Sequence, residues 1–224
     1  MEPISKVNLE RLTNGIFAFT MTLMIRNIQS PAPGTFHTAA ALNQFLDTIS
    51  YAITDFVGAF LILAMFWLFY FQIFHRMKTF DSRFIYMHFI ALMVVVFVPF
   101  TESFASQGEV DQIAGILFQI NYLILSILLI GEWHYARSHP SLLAPELTGA
   151  EASFLSKKFL VPFAVAMIGI AFILVDITYI DILYLLPFII IGLFFRHPPD
   201  SPAIEGHARP AEDEKPVDSP LAGK

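Results

Sequence analysis

The chain has 224 residues, of which 56% are hydrophobic and only 14% charged, a balance more apolar than a soluble domain of this size carries. With 24 Phe and no Cys, it has neither a disulfide framework nor a thiolate metal site. The formal net charge of −6 takes its meaning only from where the charges fall.

A hydrocarbon core of about 30 Å needs roughly 17–25 apolar residues per helix. In chain order, Leu12–Ile28, Tyr51–Phe74, Phe84–Phe104, Gln112–Gly131, Phe159–Val175 and Thr178–Phe195 reach that range. The predicted fold class is therefore all-α, a polytopic membrane protein with six transmembrane helices in residues 1–196. Between the first two spans, Pro31, Pro33 and Gly34 open a stretch, Gln29–Ser50, that reads as an external turn and a short interfacial helix. Ser138–Ser156, interrupted by Pro140, Pro145 and Gly149, reads as the longest inner loop. The Asp176-Ile177 junction leaves so little connector that the last two helices should form an antiparallel hairpin. Residues 197–224 hold six prolines among charges, cannot bury a core, and are expected to be a disordered cytoplasmic tail. A rival reading of the first segment takes Lys6 and Arg11, the apolar run Ile16–Ile25 and Ser30-Pro31-Ala32 as a secretory signal peptide, which would leave five spans.

Threading six spans from a cytoplasmic amino terminus puts 12 of the 13 basic residues inside and only Arg26 outside. Dropping one span scatters the basic loops over both faces, so charge asymmetry supports both the span count and cytoplasmic termini. Outside, Arg26 faces Asp47, Asp55, Glu102, Glu109, Asp111, Asp176 and Asp181, which leaves that face at −6 and the inner face balanced. An outer surface of that sign concentrates cations.

Polar groups in hydrocarbon cost free energy unless another helix, a cavity or water satisfies them. The first span is the richest in them, with Asn14, Thr20, Thr22 and Arg26 beside the small residues Gly15 and Ala18. One helix face carries Gly15, Phe19, Thr22, Leu23 and Arg26 at offsets of three and four. Thr hydroxyls can equally bond their own backbone, and small residues can simply permit close packing. His88, Asn121 and Asp55 read as interhelical hydrogen-bonding groups. Glu132, His134 and His139 gather at an inner helix end, but their spacing puts them on different faces, which suits a solvated boundary rather than a metal site. Pro99 and Pro187 fall inside spans, where they can kink helices. The chain has no cluster of nucleophile, base or metal ligands at one depth, so it does not read as an enzyme or a cofactor binder. It also lacks a Gly-rich phosphate loop and a basic patch with interleaved aromatics, so nucleic acid is not an expected partner.

Three motifs together resemble the transmembrane protein 175 family, the endosomal and lysosomal potassium channels and their bacterial homologues. That family's first-helix pattern is Arg-x-x-x-Phe-Ser-Asp-Gly-x-Phe-Ala-x-x-x-Thr-Leu, and Gly15, Phe17, Ala18, Thr22 and Leu23 match it. The second span ends in Phe66-Trp67-Leu68-Phe69-Tyr70-Phe71, similar to Phe-Trp-x-x-His-His, and the third ends in Pro99-Phe100 before Glu102, close to a Pro-Phe signature. The family's Arg falls at Asn8, its Ser-Asp at Thr13-Asn14 and its paired histidines at Tyr70 and Phe71. Replacing all partners of a buried charge network together costs less than stranding one. Trp67 keeps an indole N–H that needs an acceptor, for which Asn14 is the candidate, so Asn14, Trp67 and Tyr70 form the expected helix network.

The resemblance implies a homotetramer in a lipid bilayer, expected in a bacterial inner (plasma) membrane, with a fourfold pore lined by the first helix and passing potassium or other monovalent ions. Its implied pore-lining residues are Phe19, Thr22, Leu23 and Arg26. Rings of Phe19 and Leu23 would gate by dewetting, whereas a ring of Arg26 would repel cations. Arg26 can line the pore mouth, snorkel outward to lipid phosphates or pair with an outer acid such as Asp55. The alternative to a channel is a divergent, non-conducting membrane assembly or regulatory protein of the same fold.

Overall fold

A computed structural model describes residues 5–28, 30–31, 38–105, 111–175, 183 and 185–195. The fold is all-helical, and among the described residues six α-helices run in chain order as α1 (Lys6–Leu23), α2 (Ala39–His75), α3 (Ser82–Ala105), α4 (Asp111–Ser138), α5 (Gly149–Leu174) and α6 (Leu186–Phe194). A 3-10 turn, Met24–Asn27, prolongs α1. Among the described residues four helices, α2 to α5, are both long and apolar enough to cross a membrane. The charges of Lys6, Glu10 and Arg11 dilute α1. Much of the sixth span, the Asp176-Ile177 junction and the tail lie outside the described residues.

Local chemistry explains where the helices start. Ser5, Thr38 and Thr148 each accept a hydrogen bond from the backbone N–H three residues on, capping α1, α2 and α5. Asp81 Oδ1 does the same for Phe84 N at 2.9 Å before α3. These caps lie well outside the apolar windows, and so the helices outrun the hydropathy reading. Residues 39–50 do not form a separate interfacial helix; they continue into α2, whose 37 residues span about 55 Å at about 1.5 Å each. The inner loop is likewise shorter than expected, because α4 runs to Ser138 and α5 already begins at Gly149. Pro187 stands in the first turn of α6 as described, where its missing N–H breaks no helical bond, while Pro99 and Pro162 lie inside α3 and α5.

α3, α4 and α5 pack as consecutive neighbours, α1 lies against α2 and α3, and α6 against α5. The core between them is aromatic and aliphatic, including Phe66, Phe84, Leu125, Leu129 and Phe159, each essentially without solvent exposure. α4 and α5 approach closely at Gly169, where a Cβ would lie 2.6 Å from the buried Gln119 amide. At one end of the bundle the α2–α3 and α4–α5 connections pair: Lys78 N donates to Leu142 O at 2.7 Å and Ala144 N to Arg76 O at 2.9 Å. Lys6 Nζ donates to Met77 O at 2.6 Å at that same end. Eight of the nine described basic residues belong to this end, and Arg26 belongs to the other.

Candidate functional site

α1 has two faces with different chemistry. Leu9, Thr13, Phe17, Thr20 and Met24 repeat at offsets of three and four and are buried against the bundle. Gly15, Ala18, Phe19, Thr22 and Arg26 are exposed on the other side, and Leu23 is half-buried. Phe19 is 61% exposed, although it sits mid-helix in an apolar stretch. Thr22 Oγ1 donates to Phe19 O at 2.8 Å, which satisfies its proton and leaves the oxygen lone pairs outward.

The buried face is held at three levels. At the basic end Lys6 bonds the Met77 carbonyl. At the opposite end Asn27 Nδ2 donates to Pro99 O at 3.3 Å and to the Glu102 carboxylate. Between them, Thr13 Oγ1 meets His88 Nε2 at 2.8 Å and also donates to Leu9 O at 2.8 Å. His88 Nδ1 in turn lies 3.0 Å from Glu132 Oε2, and Tyr70 Oη donates to Glu132 Oε1 at 3.4 Å. With the ring doubly protonated, both ring nitrogens donate, to Glu132 and to Thr13, and the Thr13 proton remains on Leu9 O. A neutral ring carrying its proton on Nδ1 instead makes Thr13 choose between the imidazole and its own helix. Thr13, Tyr70, His88 and Glu132 come from α1, α2, α3 and α4, and none is more than 1% exposed. Beside them, Trp67 Nε1 donates to Asn14 Oδ1 at 2.8 Å.

Glu132 corrects the sequence reading. It is not in a solvated cluster with His134 and His139, because α4 continues to Ser138 and carries position 132 nearly two turns inside the helix. At about 100° per residue Glu132 points opposite to exposed His134. His139 instead packs back on its own helix, its Nδ1 2.9 Å from Tyr135 O. The available signal was a carboxylate and an imidazole inside two apolar spans, since ionisable groups at such depth pair with one another. Asn121 meets Thr101 Oγ1 at 3.0 Å, joining α4 to α3. Among the described residues no group of three His, Cys, Asp or Glu converges as a metal site.

The arrangement defines a polytopic helical membrane protein whose first helix is clamped along one face and bare along the other. Residues 8–99, the first three helices, match the family model described as endosomal/lysosomal potassium channel TMEM175. A potassium channel of Chamaesiphon minutus is 23% identical over 172 residues, covering 72% of this chain and 84% of the relative. The crystal structure of a lysosomal potassium-selective channel TMEM175 homolog from the same organism shares the fold at a TM-score of 0.69 and 18% identity, covering 82% of this chain and 95% of that one. Over its first three helices the chain is thus similar to the TMEM175 family, and over most of its length it shares the fold of that family's solved bacterial homolog.

Proposed function

We propose that this chain is a potassium channel that assembles as a homotetramer around α1, with Phe19 and Leu23 as an apolar neck and Thr22 as a ring of hydroxyl acceptors. The observation that carries the proposal is the bare stripe of α1, which lies opposite a face held at three levels by hydrogen bonds. One subunit supplies only one such helix, so a conduit requires several copies. A neck of Phe and Leu excludes hydrated ions until it widens or wets, while the Thr22 acceptor oxygens within it favour cations over anions. Arg26, one turn beyond Thr22 on the same stripe, sits at the outer end. There a ring of four guanidinium groups raises the barrier to cation entry.

The outer part of α2 also supports assembly. Asp55 lies close enough to Glu102 to interact electrostatically, which puts it level with the outer ends of α1 and α3. Residues 39–54 therefore extend roughly four turns, about 24 Å, beyond that level. Leu42, Leu46, Ile49, Ile53, Phe56 and Phe60 repeat there at alternating steps of four and three, with Asp47, Thr48, Thr54 and Asp55 on the back. That is the period of a helix built to pack along other helices. Both termini are proposed to be cytoplasmic in a plasma membrane, because the basic residues gather at the end where α1 begins.

Proteoliposome flux under potassium, sodium and chloride gradients tests the proposal. Potassium flux is expected from the wild type and an increase from Leu23→Ala or Phe19→Ala. Arg26→Ala is expected to raise cation flux further. Silence of the wild type and of all three variants would favour the non-conducting reading.

A further inference from the structure

At the basic end of the bundle a cleft of about 210 Å3 opens between α2, α5 and the end of α6. Its polar half is lined by His75, Arg76 and Lys158, and its apolar half by Phe71, Phe154 and Phe195. The two arginine and lysine charges are in different states. Arg76 is neutralised by an ion pair with Glu151, which also lines the cleft. The half-buried ammonium of Lys158 makes no ion pair among the described residues; Nζ donates to the neutral Gln72 Oε1 at 3.2 Å and stands 5.9 Å from the Phe69 ring centroid. Among the described residues the cleft thus keeps one uncompensated positive charge, in a place where part of its hydration shell is already stripped.

The rest of the geometry has the shape of an amphiphile. Side chains on a helix lean toward its amino terminus, so Lys158, nine residues into α5, leans toward the basic surface of the bundle. Phe71, 57% exposed, leaves the opposite wall apolar and open, and Phe154 packs at a tilt against Phe195 with ring centroids 5.2 Å apart. We propose that this cleft holds the phosphate of an anionic phospholipid from the adjacent leaflet, with Lys158 as its principal donor, Arg76 and His75 at the rim, and one acyl chain along the phenylalanines. Basic pockets between membrane helices on the side rich in Lys and Arg suit such headgroups. A zwitterionic lipid fits less well, because its own cationic group would stand beside Lys158 and Arg76. The site is independent of whether the chain conducts.

Native mass spectrometry of the purified chain, titrated with phosphatidylglycerol or phosphatidylcholine, tests the assignment. Preferential retention of phosphatidylglycerol is expected. Lys158→Gln should lower that retention by about fivefold, the effect of one basic side chain near an anionic surface. Lys158→Arg should keep it, and Lys157→Gln, which changes an exposed neighbour outside the cleft, should leave it unchanged. Equal retention of both lipids by the wild type overturns the proposal whatever the variants do, and so does equal phosphatidylglycerol retention by wild type and Lys158→Gln. Competition by inorganic phosphate as effective as that by the lipid would reassign the cleft to a soluble anion and also overturn it.

Discussion

Replacing Thr13 by Val keeps the shape of the side chain and removes one oxygen from the centre of the bundle. That oxygen lies 2.8 Å from His88 Nε2 and 2.8 Å from Leu9 O, so the variant leaves a fully buried imidazole nitrogen without its partner. An unsatisfied buried polar group costs about 1–3 kcal/mol. Hydrogen bonds between membrane helices average only about 0.6 kcal/mol, with a maximum near 1.7. The two ranges bracket an expected loss of about 1–2 kcal/mol, or a fall of roughly 2–8 °C in Tm for a chain of this size. Thr20 provides the matched control on the same face of α1: it is equally buried, but among the described residues its hydroxyl meets no partner. Thr20→Val should therefore leave Tm unchanged or raise it slightly, since nothing is left stranded. Both variants can be melted in detergent and followed by the emission of Trp67 and Trp133. A Thr13→Val melt indistinguishable from wild type, or an equal fall for Thr20→Val, would refute the idea that the four-helix network anchors α1.

The pair His88 and Glu132 should behave as a unit. Leu at either position alone is expected to cost about 3–5 kcal/mol, because the other group stays buried without its charge partner, whereas the double Leu variant should melt above both singles; additive losses would count against a coupled pair. Asn14→Ala should cost about 0.5–1.5 kcal/mol by depriving the Trp67 indole of its acceptor. In a Trp133→Phe background the same change should shift Trp67 emission, and an unaltered spectrum would dissociate the two residues. Because the chain has no native Cys, single cysteines can map the assembly: Leu46→Cys should form disulfide-linked oligomers under mild oxidation and Thr48→Cys, on the opposite side of α2, should not. Equal cross-linking at both positions would remove the α2 seam from the interface.

By itself the sequence determined the class of molecule, the order of its helices and the family resemblance. Those properties are local: the free energy of moving Phe84–Phe104 into hydrocarbon is a sum over its own side chains, whatever they touch. The same logic explains why hydropathy does not mark the helix ends. Hydropathy sees only the apolar middle of α2 and α5, whereas Thr38 and Thr148 start those helices far upstream by capping their first turns. The amphipathic period of α1 was also visible in the residues, including the stripe that carries Phe19 and Thr22. Only the tertiary structure decided that Glu132 turns inward to His88, 44 positions earlier in the chain, and that Thr13 and Tyr70 complete the set. Nor was the cleft beside Lys158 visible, since Gln72 lies 86 positions from it. Such meetings depend on how helices rotate and cross, which close packing of large side chains such as Phe66, Phe84 and Phe159 settles for the bundle as a whole and no single segment encodes.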